Sequence, residues 1–521
     1  MCGIVFVRAR KPQNHFYLTY SNKFFVLEKF LILLEKMHNR GQDGAGILAL
    51  KTNTPPGKKY ITRKVFPGNE GVFSLIQHVN NSIKEGKDEF EGDVYLGHLR
   101  YGTFGGYSEN FLHPVLHLNN WKTRTIAISG NFNLTNIDEL FSLLVELGQH
   151  PQEISDTLLI LEKFVHFLDE EVENTFRYFK NLGFSNREIT EKIIEHLNIE
   201  NFIRRTVKDF DGGYVIAGVL GSGSGFVIRD PWGIRPAYFY TNDEVVVCTS
   251  ERPAIQTAFN IPTTSIKELP PGHALIVDHK GDFYLREIIK VSSEPTPCSF
   301  ERIYFSRGTD RDIYKERKEL GRNLAHLLLE KFQIDFSRTV FSYVPNTSQS
   351  AFLGFIEELQ NLTGKRLRTE IILVKDVKIR TFITDADFRK KLSEHTYDVN
   401  YGSIRENTDT IVTIDDSIVR GTTLRNSILK ALERLRPASV IFLSSAPQIR
   451  YPDFYGIDMS SLSELVAFNS LIRLLKKHKK SHLTEETYIR IKEKLNTPEI
   501  TKRNFVKDLY DIFTYEEISD E

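Results

Sequence analysis

The segment Ile411–Thr423, IVTIDDSIVRGTT, predicts a buried strand, an acidic pair, a loop and the start of a helix. The next residues, LRNSILKALERL, carry leucine and isoleucine along one stripe at helical spacing. In a doubly wound sheet, ligands bind beyond the carboxyl ends of the strands, which is where Asp415 and Asp416 would emerge. Two adjacent carboxylates there can accept hydrogen bonds from sugar hydroxyls and lie near a divalent cation. The segment therefore predicts a ligand-binding loop in a parallel α/β domain.

The loop after the acidic pair carries groups suited to phosphate. Gly421 lets the backbone approach a phosphate closely, and the Thr422 and Thr423 hydroxyls and the N–H groups of the helix start can donate to it. An acidic surface turn with a threonine N-cap would be the better interpretation of an isolated Asp-Asp pair. The whole string favours a binding loop over a surface turn.

Outward from this segment, the second half of the chain alternates apolar strands with amphipathic helices. Such alternation, with nearly continuous apolar strands, is typical of a parallel sheet covered on both faces. We therefore expect residues 296–470 to form a doubly wound α/β domain and the Lys- and Glu-rich residues 471–521 to form a solvated helical tail. The runs that support the domain are RTVFSYVP, AFLGFIEELQNL, RTEIILVK, DTIVTIDD, TLRNSILKALERL and ASVIFLSSAP.

The first half, residues 1–295, has a different pattern. Short runs rich in β-branched and aromatic residues are separated by Gly and Pro, which predicts a strand-dominated α+β domain. Helical periodicity appears at Lys23–Met37 and from Ile137 to about Arg204, and residues 165–205 are expected to be an added helical layer. The strand-like runs are CGIVFVRA, GAGILAL, YITRKVF, VYLGHLR, TIAISGNF, YVIAGVL, GFVIRD, AYFYT, EVVVCTS and HALIVDH.

Length and composition narrow the class of protein. A chain of 521 residues is too long for one ordinary core, and 68 basic residues balance 68 acidic ones, so a nucleic-acid partner is not expected. Three distant cysteines cannot form a disulfide framework or a tetracysteine metal site, which favours a reduced, cytoplasmic setting. The basic residues near the N-terminus follow the apolar run, the reverse of a signal peptide, and no run approaches the roughly 20 apolar residues of a membrane span. We expect a soluble protein that acts on small molecules.

Cys2 directly follows the initiator methionine. Removal of that methionine would leave a cysteine with both a thiol and a free α-amine, whose ordinary pKa is near 8. Such an amine can serve as the base for the thiol, directly or through water, so one residue supplies nucleophile and base. Taken alone, a cysteine at this position is more often a chance residue of a flexible terminus.

Several motifs follow Cys2 in a specific order. They are MCGIV, HNRGQDGAGI (His38–Ile47), GHLRYGT (Gly97–Thr103), NFNLTN (Asn131–Asn136), RDPWGIRP (Arg229–Pro236) and Ser250-Glu251. This set resembles the class II glutamine amidotransferase domain, an N-terminal-nucleophile (Ntn) hydrolase fold with stacked antiparallel sheets. The resemblance implies that Cys2 attacks the side-chain amide of glutamine, releases ammonia and leaves a γ-glutamyl thioester that water hydrolyses.

The same resemblance implies roles for other residues. Asn131 and the backbone N–H of Phe132 would stabilise the oxyanion, a task that needs fixed donors in a water-poor pocket. The family commonly has glycine where this chain has Phe132, and phenylalanine does not readily adopt a positive φ. Arg100 would hold the α-carboxylate of glutamine, Asp156 its α-ammonium group, and Arg40 would also contact glutamine.

The string DDSIVRGTT resembles the phosphoribosyl-pyrophosphate motif of type I phosphoribosyltransferases, in the form found in the amidophosphoribosyltransferase family. Further matches are CSFERIYFSR, YVPNTSQSA, RTFI and APQIRYPDFYGIDM. The resemblance implies that Asp415 and Asp416 bind Mg²⁺ and the sugar. It also implies that phosphoribosyl pyrophosphate is bound by Asp415, Asp416, Ser417, Arg420, Gly421, Thr422, Thr423, Arg380 and Lys378.

The two resemblances together imply one reaction. Ammonia made at Cys2 in the first domain would attack phosphoribosyl pyrophosphate in the second, giving 5-phosphoribosylamine and pyrophosphate, the first step of purine synthesis. Purine nucleotide inhibitors and a homo-oligomer are further expectations, and an iron–sulfur cluster is not expected because the chain lacks four free cysteines. The alternatives are a glutaminase with another acceptor, which the DDSIVRGTT string argues against, and a non-catalytic paralogue that binds phosphoribosyl pyrophosphate or nucleotides.

Overall fold

The computed structural model describes residues 1–102, 112–291, 294–375, 397–455, 459, 461–495, 497 and 503–521. The chain divides into two compact units, Met1–Ile313 and most of Tyr314–Glu521. The sequence places the boundary near residue 295, but the first unit reaches further along the chain. It does so because Glu301 and Asp310 form ion pairs with Arg40 and Arg252, at 2.8 and 2.5 Å.

The first unit is built on strands, as its β-branched composition predicts. Its strands are β1 (Gly3–Ala9), β2 (Gly44–Leu50), β3 (Ile61–Pro67), β4 (Val94–Leu99), β5 (Val115–His117), β6 (Ile126–Leu134), β7 (Gly212–Leu220), β8 (Gly225–Arg229), β9 (Tyr238–Thr241), β10 (Val245–Thr249), β11 (Lys267–Glu268), β12 (His273–Val277) and β13 (Phe283–Glu287). Its helices are α1 (Gln13–Tyr20), α2 (Phe25–Lys36), α3 (Gly71–Lys84), α4 (Ile137–Glu146), α5 (Asp156–Asn181), α6 (Asn186–His196), α7 (Ile199–Val207) and α8 (Arg252–Phe259).

These strands form two antiparallel sheets that pack face to face. One has the order β11-β9-β10-β1-β4-β2-β3 and the other β13-β12-β8-β7-β6-β5. Alternate residues of each sheet point inward, so that Ile4 and Phe6 share a core with Ala217 and Val227. The outward residues pack against helices, α2, α3 and α8 on one side and α5 to α7 on the other. The stacked antiparallel sheets of the Ntn hydrolase fold are therefore confirmed.

The helices from α5 to α7 cover the second sheet. Phe164 of α5 and Phe202 of α7 are fully buried against Phe226 of β8, with ring centroids 5.3 and 5.6 Å from that ring. The segment predicted as an added helical layer thus belongs to the outer layer of the sandwich. Its burial follows from the amphipathic spacing that the sequence shows.

The second unit contains a four-stranded parallel sheet of order β15-β14-β18-β19. Apolar side chains project from both faces of this sheet. On one face Phe341 and Val412 pack with helices α9 and α10, and on the other Val340 and Ile411 pack with α11. The doubly wound parallel sheet is confirmed. The elements are α9 (Arg311–Lys331), β14 (Thr339–Tyr343), α10 (Gln349–Thr363), β15 (Arg368–Thr369), β16 (Leu373–Lys375), β17 (Tyr397–Val399), β18 (Thr410–Asp415), α11 (Leu429–Glu433), β19 (Ser439–Ser444), α12 (Val466–Lys477), α13 (His482–Lys494), α14 (Lys507–Tyr510) and α15 (Tyr515–Asp520).

Two details of the second unit differ from expectation. The run RTEIILVK is not one strand: it divides into β15 of the parallel sheet and β16, which pairs with β17 in a separate antiparallel ribbon. The C-terminal residues are not simply a solvated tail, because Leu471 and Leu475 of α12 are fully buried in a small core with Tyr510. Apolar residues spaced along separate short helices gave too weak a pattern to predict this core. Among the described helices, none combines the length and the apolarity that crossing a bilayer demands.

Candidate functional site

Cys2 lies at the start of β1, a central strand of the first sheet. Because β1 and β4 are antiparallel, Gly3 pairs with Leu99, and the residues that leave β4 pass beside Cys2. The N–H of Tyr101 donates to Cys2 Sγ at 3.5 Å, and Sγ lies 3.8 Å from the Tyr101 carbonyl oxygen. The thiol is half-buried, so it is held by the backbone of one neighbour while still reachable.

Met1 precedes Cys2 and is buried beside Arg235 and Glu301. Burial lowers the pKa of the Met1 amino group to about 5. Removal of Met1 would make the Cys2 nitrogen the free α-amine. That nitrogen already has a defined partner, because it donates to Asn131 Oδ1 at 3.1 Å.

Asn131 lies on β6 of the second sheet, so the stacking of the two sheets brings it to Cys2. Its side chain is 3% exposed, and the Oδ1 atom is occupied by the Cys2 nitrogen. The Nδ2 group is buried and has no hydrogen-bond partner among the described residues. A buried donor without a partner is rare, and here it belongs to a side chain that contacts Cys2. The predicted oxyanion role of Asn131 needs such an available donor, and this role remains a prediction.

Phe132 continues β6 in an ordinary strand conformation. It pairs with Tyr214 of β7, and its φ is not positive, as expected for phenylalanine. Its half-buried ring packs against the ring of His113, with centroids 5.3 Å apart. A Cβ atom on Gly130 would lie 2.2 Å from the Phe132 ring, so the ring occupies the space over that glycine. The oxyanion role of the Phe132 N–H remains a prediction.

Arg100 and Asp156, the residues predicted to bind the charged ends of glutamine, lie within electrostatic reach of each other. Arg100 is buried just after β4, and Asp156 is the first residue of α5. Burial raises the pKa of Asp156, and the positive charge of Arg100 opposes this rise. The carboxylate accepts the Thr157 N–H at 2.7 Å. This placement suits an amino-acid head group, and the binding roles remain predictions.

Arg40, predicted to contact glutamine, instead lies in a buried ion cluster. It is fully buried, and its nitrogens donate to Glu251 at 2.6 Å, Glu301 at 2.8 Å and Ser306 at 3.3 Å. A guanidinium satisfied by two carboxylates in the interior acts as a structural residue, because losing either partner would leave a buried charge. The contacts of Arg40 give its predicted glutamine role no support. Glu301 lies in the supporting match CSFERIYFSR, but its partner could not be read from the sequence.

A pair of buried histidines, His98 and His113, lies next to Asn131. Their rings are 4.4 Å apart, and both contact the backbone of Gly130: its N–H donates to His113 Nδ1 and its carbonyl oxygen lies 3.2 Å from His98 Nε2. Burial, together with the charge of Arg100, lowers the pKa of His113 to about 3. Burial likewise lowers the pKa of His98 well below its ordinary value. His98 belongs to the GHLRYGT motif, whereas nothing in the sequence singled out His113.

These neutral histidines predict a pH-dependent stability. The unfolded chain takes up protons near pH 6.5 and the folded chain does not, so the stability falls as pH decreases below 6.5. The free energy of unfolding should lose about 2 kcal/mol through His113 between pH 7 and pH 5, and His98 should add a loss in the same direction. In denaturant unfolding, the free energy of unfolding of the wild type should exceed that of His113→Asn by about 2 kcal/mol less at pH 5 than at pH 7. A difference independent of pH would contradict the prediction, and exposed His196→Asn serves as the control.

In the second unit, Asp415 ends β18 and Asp416 follows it, at the carboxyl edge of the parallel sheet where the sequence placed them. The Asp416 N–H donates to Asp415 Oδ1 at 2.9 Å, and the Ser417 hydroxyl donates to Asp416 Oδ1 at 2.8 Å. Burial raises the pKa of both carboxyl groups, and the charge of Asp416 adds to the rise at Asp415. The positive charge of Lys375 on β16 opposes both shifts. Two buried carboxylates this close repel each other when both are ionised, so a bound cation would stabilise the pair.

The donor set fits a magnesium ion that arrives with a substrate. The described residues contain no group of three or more His, Cys, Asp or Glu side chains that could hold a metal by themselves. Mg²⁺ commonly binds through one or two carboxylates together with substrate phosphates, while keeping several waters. Asp415 and Asp416 could supply such carboxylates.

The loop after the acidic pair leads into a helix, as the sequence predicts. Gly421 has a φ of 70°, in the left-handed region that favours glycine, and Val466 Cγ2 would lie 3.2 Å from a Cβ placed there. Helical structure begins at the exposed Thr422 and Thr423. Arg420 donates through Nε to Glu464 at 2.7 Å. Arg380 and Lys378 lie outside the described residues.

Comparison with known proteins finds relatives along most of the chain. It is 30% identical to the amidophosphoribosyltransferase of Pseudomonas aeruginosa over 479 residues, or 90% of this chain and 83% of the relative. It is 28% identical to the amidophosphoribosyltransferase of Escherichia coli over 481 residues, again 90% of this chain and 83% of the relative. A solved structure of the glutamine phosphoribosylpyrophosphate amidotransferase from Bacillus subtilis, complexed with ADP and GMP, matches with a TM-score of 0.66 at 25% identity and covers 91% of this chain and 88% of that one. None of the known family models matches the chain.

Proposed function

This chain belongs to the amidophosphoribosyltransferase family, and we infer that it transfers ammonia from glutamine to phosphoribosyl pyrophosphate. The products are 5-phosphoribosylamine, pyrophosphate and glutamate. The observation that carries this function is the contact between the Cys2 nitrogen and Asn131 Oδ1, because it brings a side chain whose buried Nδ2 has no partner among the described residues to Cys2.

The first half-reaction takes place at Cys2. After removal of Met1, the α-amine accepts the thiol proton and the sulfur attacks the amide carbon of glutamine. Asn131 Nδ2 donates to the oxyanion of the tetrahedral intermediate, with the Phe132 N–H as a second donor. Arg100 holds the α-carboxylate and Asp156 the α-ammonium group. Ammonia leaves with a proton from the amine, and water hydrolyses the thioester to glutamate.

The second half-reaction takes place at the end of β18. Asp415 and Asp416 would hold the ribose hydroxyls and a magnesium ion. Such an ion would supply positive charge to the leaving pyrophosphate. The 5-phosphate is bound through hydroxyl and backbone N–H groups of Ser417, Gly421, Thr422 and Thr423. The left-handed φ of Gly421 and the helix start at the exposed Thr422 and Thr423 support this assignment. Arg420, Arg380 and Lys378 supply positive charge toward the phosphates.

Regulation and assembly follow from the family by analogy. The Bacillus subtilis relative was solved with ADP and GMP, and purine nucleotides are accordingly proposed as inhibitors of this chain. A homo-oligomer and a cytoplasmic location are part of the same proposal. An oligomer is testable by light scattering, and inhibition by adding GMP or ADP to the synthesis assay.

The assay that tests the function is glutamate release from glutamine, measured with and without phosphoribosyl pyrophosphate and Mg²⁺. Stimulation by phosphoribosyl pyrophosphate is expected, because the acceptor is bound in the same chain. Glutamate release that ignores phosphoribosyl pyrophosphate would indicate a glutaminase with another acceptor. No glutamate release under either condition would indicate a non-catalytic paralogue. Omission of Mg²⁺ should abolish the stimulation and leave the basal release.

A further inference from the structure

The imidazole of His113 contacts two parts of the first unit, the strand that carries Asn131 and the helix start that carries Asp156. The proposed reaction gives these two residues different roles. On one side, its Nδ1 accepts the N–H of Gly130 at 3.2 Å, and Gly130 directly precedes Asn131. On the other side, its Nε2 lies 3.1 Å from the hydroxyl of Thr157, which directly follows Asp156. One ring thus contacts the neighbours of both the proposed oxyanion donor and the proposed ammonium ligand.

The direction of these hydrogen bonds follows from the donor at Gly130. A backbone N–H can only donate, so His113 Nδ1 is an acceptor and the ring proton is on Nε2. Nε2–H then donates to Thr157 Oγ1, whose own hydrogen is free to point at Asp156 Oδ1, 3.4 Å away. The low pKa of His113 supports a neutral ring in this chain of bonds. The sequence of donors runs from Gly130 through His113 and Thr157 to Asp156.

The surroundings leave the ring little freedom to turn. His98 stacks obliquely against one part of it and Phe132 against another, with centroids 4.4 and 5.3 Å away. His98 Nε2 also lies 3.2 Å from the carbonyl oxygen of Gly130, so both polar groups of that glycine have a histidine partner. Gly130 has no side chain, and its missing Cβ leaves the room that Phe132 fills. The peptide before Asn131 is therefore held by bonding and by packing.

We propose that His113 is a positioning residue of the glutaminase site, which sets Asn131 through Gly130 and Asp156 through Thr157. This inference rests on the proposed function of Cys2 and Asn131. An oxyanion donor acts only when it is held within a fraction of an ångström of its working place, so a shift of Gly130 would weaken transition-state binding more than substrate binding. A loss at Thr157 would instead loosen Asp156 and weaken the binding of glutamine.

Two substitutions at His113 separate bonding from packing. In His113→Asn, the Oδ1 atom can replace Nδ1 as acceptor for Gly130 but cannot reach Thr157, whereas His113→Leu retains apolar bulk and has no acceptor. We expect His113→Leu to lower the glutaminase kcat by about 10- to 100-fold, less than the loss of an oxyanion donor itself. His113→Asn should retain most of kcat. Equal kcat values for the two variants, or a higher value for leucine, would overturn the proposal.

A second pair of substitutions tests the other side of the ring. Thr157→Val removes the hydroxyl at nearly constant volume, and Thr157→Ser retains it. The loss of one hydrogen bond near the ammonium ligand should raise the KM for glutamine about five-fold in Thr157→Val, with little change in kcat. His113→Asn should show the same rise in KM, and Thr157→Ser should not. A rise of equal size in the valine and serine variants would overturn the link to Asp156.

The ammonia-dependent synthesis of phosphoribosylamine distinguishes this proposal from the proposed function. That activity does not use the glutaminase site, so every His113 and Thr157 variant should retain it if the chain is folded. If Cys2→Ala abolishes glutamine-dependent synthesis while His113→Leu leaves the glutaminase kcat unchanged, the function stands and the positioning role of His113 is wrong. If the wild type releases no glutamate, the proposed function is wrong, and the His113 proposal that rests on it falls with it.

Discussion

Replacing Cys2 with alanine should lower glutamine-dependent synthesis by about 10³-fold or more, because covalent catalysis at a single nucleophile accounts for rate factors of this size. The same variant should synthesise phosphoribosylamine from ammonium salts at the wild-type rate. The fold should tolerate the change, since Cys2 is half-buried and its nitrogen, not its sulfur, bonds to Asn131. Glutamate release and phosphoribosylamine formation, measured in parallel with glutamine or ammonium chloride, check both statements.

The matched control is Cys248→Ala. Cys248 is a fully buried residue of the core between the two sheets, and burial raises the pKa of its thiol to about 12, so it cannot replace Cys2 as a nucleophile. The control should retain both activities. Loss of both activities in a folded Cys2→Ala protein would contradict the two-site scheme. An intact mass that includes Met1 in the active protein would also contradict it, because the amine would then not belong to Cys2.

The second large effect is expected at the acidic pair of the other unit. Substituting Asp415 and Asp416 together with asparagine should lower synthesis by about 10²- to 10³-fold with either nitrogen source, since a bound metal supplies several kcal/mol of charge stabilisation. Basal glutamate release should persist, but phosphoribosyl pyrophosphate should no longer stimulate it. An asparagine at 415 can still accept the Asp416 N–H, so the loop should retain its shape.

Asp335→Asn is the matched control for this pair. Asp335 is exposed, precedes β14, and accepts hydrogen bonds from Ser337, so it lies at the amino edge of the parallel sheet and not at the ligand edge. This variant should leave synthesis and stimulation unchanged. If the double Asp415/Asp416 variant keeps full synthesis, or loses glutamate release as well, the assignment of the phosphoribosyl-pyrophosphate site to the end of β18 is wrong.

Much of the fold was predictable from local patterns. The strand-like runs matched β1 to β4, β6 to β10 and β12, and the alternation of strands and helices predicted the parallel sheet. The short strands β5, β11 and β13 were missed, because two to five residues carry little periodicity. The RTEIILVK run was interpreted as one strand because a bend between two sheets leaves no clear signal in apolar residues.

The residues of the candidate site also differ in how far the sequence could predict their positions. Asp415, Asp416 and Gly421 lie in one contiguous motif, so their proximity was determined by chain connectivity alone. The glutamine contact of Arg40 was implied by the family resemblance, whereas its observed partners Glu251 and Glu301 are more than 200 residues away along the chain. Charge pairing across such separations depends on the packing of elements, which no local pattern encodes.

The sequence by itself determined the fold class, and it predicted Cys2 and the loop after Asp416 as site residues, because each of these features depends on residues that are neighbours in the chain. Only the tertiary structure decided that Asn131 meets Cys2, that Arg40 is enclosed by carboxylates and that His113 lies between Gly130 and Thr157. These contacts arise from the stacking of two sheets and the docking of α5, which bring together residues that are distant in the chain. Burial then sets the protonation of the groups that meet there, because the cost of removing charge from water exists only in the folded core.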